Sequence, residues 1–292
     1  MCIFCSTVKA LRTASQEEHE ADSVDCSWCA TITVIPQITN LRQLICRDCD
    51  SLKEIPTIPT LEFLDCRYSV NLTVISAQPS LKILDCSNCT GLAEIGVLEK
   101  VEELDCSRCR NLEKLPESDT LTMLTCTQCN FQTLPSFPNL KYLNCRKSPF
   151  LTSIKGYPKL KRLFCSSCRE LSEICSLPNL EKLECEYCYL LKKIVGVPKL
   201  TELTCVRCPM LTDLESEVDY VNCRGCTWLY KNARFLENIQ VLRTCQAMWK
   251  RKCVSKRLMR AIPEIVAIYY SPGCKGAYIA FREFSVHREK FL

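Results

Sequence analysis

Residues 41–60 read LRQLICRDCDSLKEIPTIPT, and this stretch is one unit of a repeat that runs through most of the chain. As a template it is L-x-x-L-x-C-x-x-C-x-x-L-x-x-I-P-x-x-P-x. The first cysteine recurs every 20 residues at Cys26, Cys46, Cys66, Cys86, Cys106 and Cys126. It continues at Cys145, Cys165, Cys185, Cys205 and Cys223, slipping by one residue and later by two. A fixed period of about 20 to 50 residues signals a solenoid, in which each unit buries its apolar face only against its neighbours.

Each column of the template has a physical meaning. Leucine or valine stands two residues before the first cysteine, as at Leu44, Leu64, Leu84 and Leu104, and five before it, as at Leu41, Leu61, Leu81 and Val101. The L-x-C alternation has period 2, which predicts a short half-buried strand with leucine and cysteine facing inward. After the second cysteine, Leu52, Leu72, Leu92 and Leu112 are followed three residues on by Ile55, Ile75, Ile95 and Leu115. That run is too short for a helix between two strands. Proline at Pro59, Pro79, Pro138, Pro158, Pro178 and Pro198 suits an extended return path, since it fixes φ and lacks an N–H. The expected coil is a strand, a turn and a non-helical far side. Cys2, Cys5, Val8 and Leu11 fit the same register, so the repeat region is set at 1–229, about twelve units, with residues 12–22 as a loop insertion.

These residues resemble the leucine-rich-repeat signature L-x-x-L-x-L-x-x-N/C-x-L, with cysteine in the third leucine place and again in the Asn/Cys place. The 20-residue period is similar to the shortest repeats of that family, those of bacterial effectors. The resemblance implies an α/β-type solenoid: a leucine-rich-repeat arc with a parallel concave sheet, a non-helical convex side and an α-helical C-terminal cap. For function it implies a protein-binding scaffold. The ending around Ile262-Pro263-Glu264-Ile265 and Tyr269-Tyr270-Ser271-Pro272-Gly273 is similar to leucine-rich-repeat proteins of giant DNA viruses, which would place the chain in host cytoplasm or virion.

Ten C-x-x-C pairs also match the spacing of four-cysteine zinc sites. Three observations favour a structural ladder of thiols. The leucines carry the period by themselves. Ser69 and Ser148 stand in the second cysteine place, and serine is a poor zinc ligand. The first cysteine fills a leucine slot, and free cysteine is among the most buried residue types. A zinc- or redox-responsive protein stays as the alternative. Residues 1–5 lack the charged and apolar regions of a secretory signal, so the cytoplasm is the expected address and the thiols are expected reduced. No apolar run reaches membrane-spanning length.

The candidate partner-binding residues lie on the expected concave face. Asp65, Asp85 and Asp105 fall in one column about 4.8 Å apart, a like-charge ladder that Arg47, Arg67 and Arg108 are close enough to offset. Trp28, Phe63, Tyr68, Tyr142, Phe164, Tyr187 and Tyr220 are expected to be at least partly exposed there. Aromatics and arginine dominate binding hot spots, and the aspartates suit a basic protein partner.

Past Trp228 the repeat stops. Residues 227–292 carry 13 Lys and Arg against 4 Asp and Glu, a net +9, which leaves −4 for the repeats out of the total of +5. Phe235, Ile239, Leu242, Gln246, Trp249 and Cys253 step by three and four, an amphipathic helix, so 230–292 is assigned as a basic helical cap or tail. Solenoids need such a cap over the last coil. Nucleic acid or an anionic membrane is the lesser alternative for the basic run 243–260. No enzyme and no cofactor is expected: His19 and His287 have no recognisable nucleophile or ligand companion, and seven glycines form no phosphate loop. The expected function is a monomeric, non-enzymatic protein-interaction scaffold. The runner-up is an adaptor subunit of a larger viral or ubiquitin-ligase assembly, docked through its tail.

Overall fold

The structure is a computed structural model that describes residues 22–36, 38, 40–211, 213–214 and 220–226. Truncated unit one, the loop at 12–21 and the segment 230–292, with its expected α-helical cap, lie outside these residues. Eleven three-residue strands, from Ser23–Asp25 and Gln43–Ile45 to Glu202–Thr204 and Tyr220–Asn222, form one sheet in strict sequence order. Every pairing is parallel and in phase with the repeat, as in Leu44↔Leu64 and Leu64↔Leu84. The slips in the cysteine series shorten a coil without breaking the ladder: Leu124 pairs with Leu143, and Leu203 with Val221.

The far side of the coil is also extended. Glu54–Ile55, Val74–Ile75 and Glu94–Ile95 form a three-stranded parallel sheet. Ser153–Lys155, Glu173–Cys175, Lys193–Val195 and Asp213–Leu214 form a four-stranded one. The gap between them contains the coil in which Phe131 follows Cys129 after one residue instead of two. The coil before it, with Leu112 and Leu115 at the ordinary spacing, has no far-side strand either. No helix occurs among the described residues, which form an all-β solenoid where an α/β type was expected, with the non-helical far side that the repeat implies.

Inward positions recur at every third residue with one step of two: Cys46, Cys49, Leu52, Ile55, Ile58, Leu61, Leu64 and Cys66 are all buried. The step of two is the L-x-C strand. At about 1.5–3 kcal/mol for each fully buried aliphatic side chain, the stacked columns hold the coils together, and each column depends on its neighbours. One column escaped the sequence reading, the residue before the proline: Ile58, Leu98, Phe137, Tyr157, Leu177 and Val197. In two coils that column is polar, at the buried Gln78 and Ser118. Gln78 is satisfied, accepting the Ile58 N–H at 3.1 Å and donating to the Pro56 carbonyl at 2.7 Å. The Tyr157 hydroxyl likewise donates to the Pro135 carbonyl at 3.0 Å. Buried polar groups are tolerated when paired in this way.

Candidate protein-interaction face

The turn that follows each strand is built by the cysteine pair. In several coils the backbone N–H of the second cysteine or serine donates to the carbonyl of the first, as from Cys89 to Cys86 at 3.3 Å and Cys109 to Cys106 at 3.2 Å, whereas the Cys49 N–H donates to Ser69 Oγ at 3.2 Å. The residue just before the second cysteine or serine has positive φ in every described coil, from Trp28 (63°) and Asp48 (51°) to Arg207 (56°) and Gly225 (75°). Each such residue costs about 1–2 kcal/mol unless it is glycine, asparagine or aspartate. The neighbouring coil holds it there: Trp28 N–H donates to the Arg47 carbonyl at 2.8 Å and Tyr68 N–H to the Ser87 carbonyl at 3.0 Å.

The second cysteines form a hydrogen-bond ladder. Each thiol donates to the carbonyl of the first cysteine one coil back, at 2.8–3.2 Å from Cys49, Cys89, Cys109, Cys129, Cys168, Cys188, Cys208 and Cys226. Ser69 and Ser148 make the same bond, to Cys46 at 2.9 Å and Cys126 at 3.1 Å. Serine can replace cysteine here because the position needs a small donor. Contact with the next coil's second thiol, then burial, pushes Cys66, Cys86 and Cys106 well above the ordinary thiol value. At Cys126, where the next coil offers Ser148, burial comes first. Contact and burial thus disfavour the thiolate at these four cysteines, while Cys168 goes the other way, its value lowered first by the contact with Cys145. Among the described residues, no group of three or more His, Cys, Asp or Glu is arranged to hold a metal ion. Twenty described cysteines are free thiols, while Cys29 is disulfide-bonded, which corrects the expectation of reduced thiols at that position. Cys175 stands outside both columns, half-buried on the far side with its Sγ 3.5 Å from Glu173 Oε1.

The outer face of the eleven-stranded sheet carries the aspartate ladder. Asp65, Asp85 and Asp105 are paired in direct register. Each also serves its own turn: Oδ1 accepts the N–H two residues on, from Arg67 at 3.3 Å, Ser87 at 3.0 Å and Ser107 at 2.9 Å. Asp25 does the same for Ser27 at 2.9 Å. These are Asx turns, so the carboxylates are structural as well as electrostatic. The three differ sharply in surroundings. Asp65 is only 2% exposed, so it does not present the open carboxylate the sequence suggested. Arg47 and Arg67 cover it, with Arg47 Nη2 at 2.6 Å and Arg67 Nε and Nη2 both at 2.9 Å. Burial opposes its charge, but the hydrogen bonds from Arg67 and Arg47 outweigh it and hold the carboxyl below the usual 3.8. Asp85 goes the other way: burial raises it, helped by the charge of Asp105, against the Ser87 hydrogen bonds and Arg67 at 3.3 Å. Arg108 does not offset the ladder as expected; its Nη1 donates to Asn88 Oδ1 at 3.2 Å.

The expected aromatics are all exposed or half-buried, but they occupy two places. Phe63, Tyr142, Phe164 and Tyr220 are on strands of the long sheet. Trp28, Tyr68 and Tyr187 sit at the positive-φ turn positions along its edge. The structure brings together Tyr142 and Phe164, 5.4 Å apart, with Arg146 4.6 Å above the Phe164 ring. Arg146 also pairs with Glu184, which Lys182 approaches at 3.7 Å. Arg207 lies over Tyr187 at 5.5 Å. The sequence reading missed Ile83, Met123, Glu103, Arg146 and Arg207 on this side. Its signal was available, since each stands three residues before, or one or two after, a first cysteine.

No family model and no curated protein matches the chain. Among solved structures, the leucine-rich-repeat domain of the type III effector XopL is 17% identical, with 80% of this chain and 78% of that one covered and a TM-score of 0.35. The pneumococcal vaccine antigen PcpA is 14% identical, with 70% and 66% covered and a TM-score of 0.27. Likenesses this distant carry no functional weight, and the parallel solenoid fold rests on the repeat and the strand register themselves.

Proposed function

We propose that the chain is a non-enzymatic protein-interaction scaffold that binds a protein partner across the outer, concave side of its eleven-stranded sheet. One observation carries this reading. Phe63, Ile83, Met123, Tyr142, Phe164 and Tyr220 present apolar surface in the outward strand columns, interleaved with arginine, lysine and carboxylates. A face of eleven strands at about 4.8 Å spacing is about 48 Å long, the scale of a macromolecular contact rather than a small-molecule pocket. Aromatic anchors beside arginine are what such contacts use for affinity. Elsewhere, a groove of about 560 Å³ is lined by Thr33, Asp50, Ser51, Lys53, Asn71 and Thr73, with no aromatic, leucine, isoleucine or valine side chain among them.

The reading is tested by capture from the native cell extract with the full chain and with Phe63→Ala, Phe164→Ala and Tyr220→Ala variants. Loss of one captured protein at unchanged circular dichroism and melting supports it. Capture that survives every outer-face substitution overturns it and moves the contact to the far side or to residues 230–292.

A further inference from the structure

Charge is not balanced evenly along this face. Glu62 is paired with Lys82 at 2.6 Å, Glu181 with Lys161 at 3.2 Å, and Glu202 with Lys182 at 2.9 Å. Glu184 has both Arg146 and Lys182. In the middle coils the pattern changes. Glu102, Glu103 and Asp105 have no lysine or arginine within 4.0 Å among the described residues. Asp85 has only Arg67, whose guanidinium is shared with Asp65. Crowding among these carboxylates shows at Asp85, whose pKa is raised by burial first and by Asp105 as well.

The same coils expose an apolar stripe. Phe63, Ile83, Glu103, Met123 and Tyr142 are successive register partners in the strand-start column. Ile83 is 37% exposed and Met123 39%. Asp85 and Asp105 lie two residues along the same strands, on the same face, and Glu102 borders Glu103. An apolar line interrupted and flanked by carboxylates, three of them without an ion pair and one sharing Arg67, is complementary to a segment that is apolar on one side and cationic around it. Four strand intervals make about 19 Å, which matches about 13 residues of α-helix at 1.5 Å each.

We propose that the stretch from Phe63 to Tyr142 receives a basic amphipathic helix of a partner protein, its apolar side on Ile83 and Met123 and its cations on Glu102, Glu103, Asp85 and Asp105. This rests on the scaffold reading above and adds the chemistry of the partner and the part of the face it occupies. Asp65 takes no part, because its carboxylate is already spent on Arg47 and Arg67. The coils around Arg146 and Glu184 are internally neutralised and contribute no net attraction. Helix-in-groove recognition reads apolar anchors at helical spacing, and the charges set orientation and salt dependence.

The test uses the full chain and a fluorescein-labelled 14-residue peptide of leucine and lysine with helical periodicity, followed by anisotropy. A leucine–glutamate peptide of the same pattern is the counterpart. Saturable binding of the cationic peptide is expected, weakened tenfold or more by Glu102→Gln with Glu103→Gln, and likewise by Ile83→Asn. Glu94→Gln with Glu113→Gln, two exposed carboxylates on the far side, removes the same charge and is expected to change binding less than twofold. Melting curves confirm that each variant is folded. Absence of saturable binding, equal loss in the two double variants, or preference for the acidic peptide each overturns the proposal. The scaffold reading fails separately. If native capture is lost only with Phe164→Ala, the scaffold stands and this site does not; if capture survives all face variants, both fall.

Discussion

Cys106 and Cys109 are three residues apart, both fully buried, and predicted to respond unequally to the same substitution. Cys109 Sγ donates to the Cys86 carbonyl at 3.1 Å. A serine hydroxyl already fills that place at Ser69 and Ser148, reaching the equivalent carbonyl at 2.9 and 3.1 Å. Cys109→Ser keeps the bond and is expected to cost less than about 1 kcal/mol, the net worth of one ordinary hydrogen bond. Cys109→Ala deletes the donor and adds a small void, so it should cost about 1–2 kcal/mol. Cys106 instead points inward from the strand among leucines, with the Cys129 thiol as its polar neighbour. A serine there buries a hydroxyl beside a weak acceptor, and the expected loss is about 1–3 kcal/mol. Urea unfolding of the full chain followed by circular dichroism gives the order. Midpoints are compared rather than extrapolated free energies, because a long repeat array need not unfold in two states. The expected order is wild type, Cys109→Ser, Cys109→Ala, Cys106→Ser. A first-place serine as mild as a second-place one, or unfolding by a zinc chelator, would refute the structural account of the thiols.

Three further outcomes follow from the same contacts. Asp65 titrates below 3.8 in the folded chain, so the fold binds fewer protons there; its contribution is complete above pH 3.8 and is lost as the pH falls through the lower folded value. Asp85 is raised, so its charge opposes folding above its folded pKa and that penalty fades on acidification towards 3.8. The urea midpoint at pH 7 should therefore drop with Asp65→Asn, a loss below the roughly 3–5 kcal/mol of a fully buried pair because both arginines partly face water, and hold or rise with Asp85→Asn; the reverse pattern would contradict the assigned surroundings. Gly96→Ala should lower the melting temperature, at about 1–3 kcal/mol, because its Cβ would lie 2.5 Å from the Ala77 backbone nitrogen. Deleting residues 230–292 is expected to lower the melting temperature and promote aggregation if that segment covers the last coil; a truncation that melts like the full chain would leave it as a docking tail.

The repeat, the inward columns, the parallel sheet and the non-helical far side were legible in the sequence because they are properties of chain order. A leucine two residues before a cysteine must share its face, and a unit recurring every 20 residues must stack on itself. The residue before the proline was missed because its column is broken in the earlier units, where Ile58 and Leu98 alternate with Gln78 and Ser118, and runs apolar without a break only from Phe137 to Val197. The charged face was legible only in outline. Asp65, Asp85 and Asp105 occupy identical places in the repeat, yet one is sealed under two arginines, one is partly paired and one has no cation within reach. Arg108 stands beside the same ladder and turns to Asn88 instead. Which long side chain reaches which carboxylate depends on the distance between stacked coils and on the turn that aims each arginine, and those are fixed only when the coils are stacked.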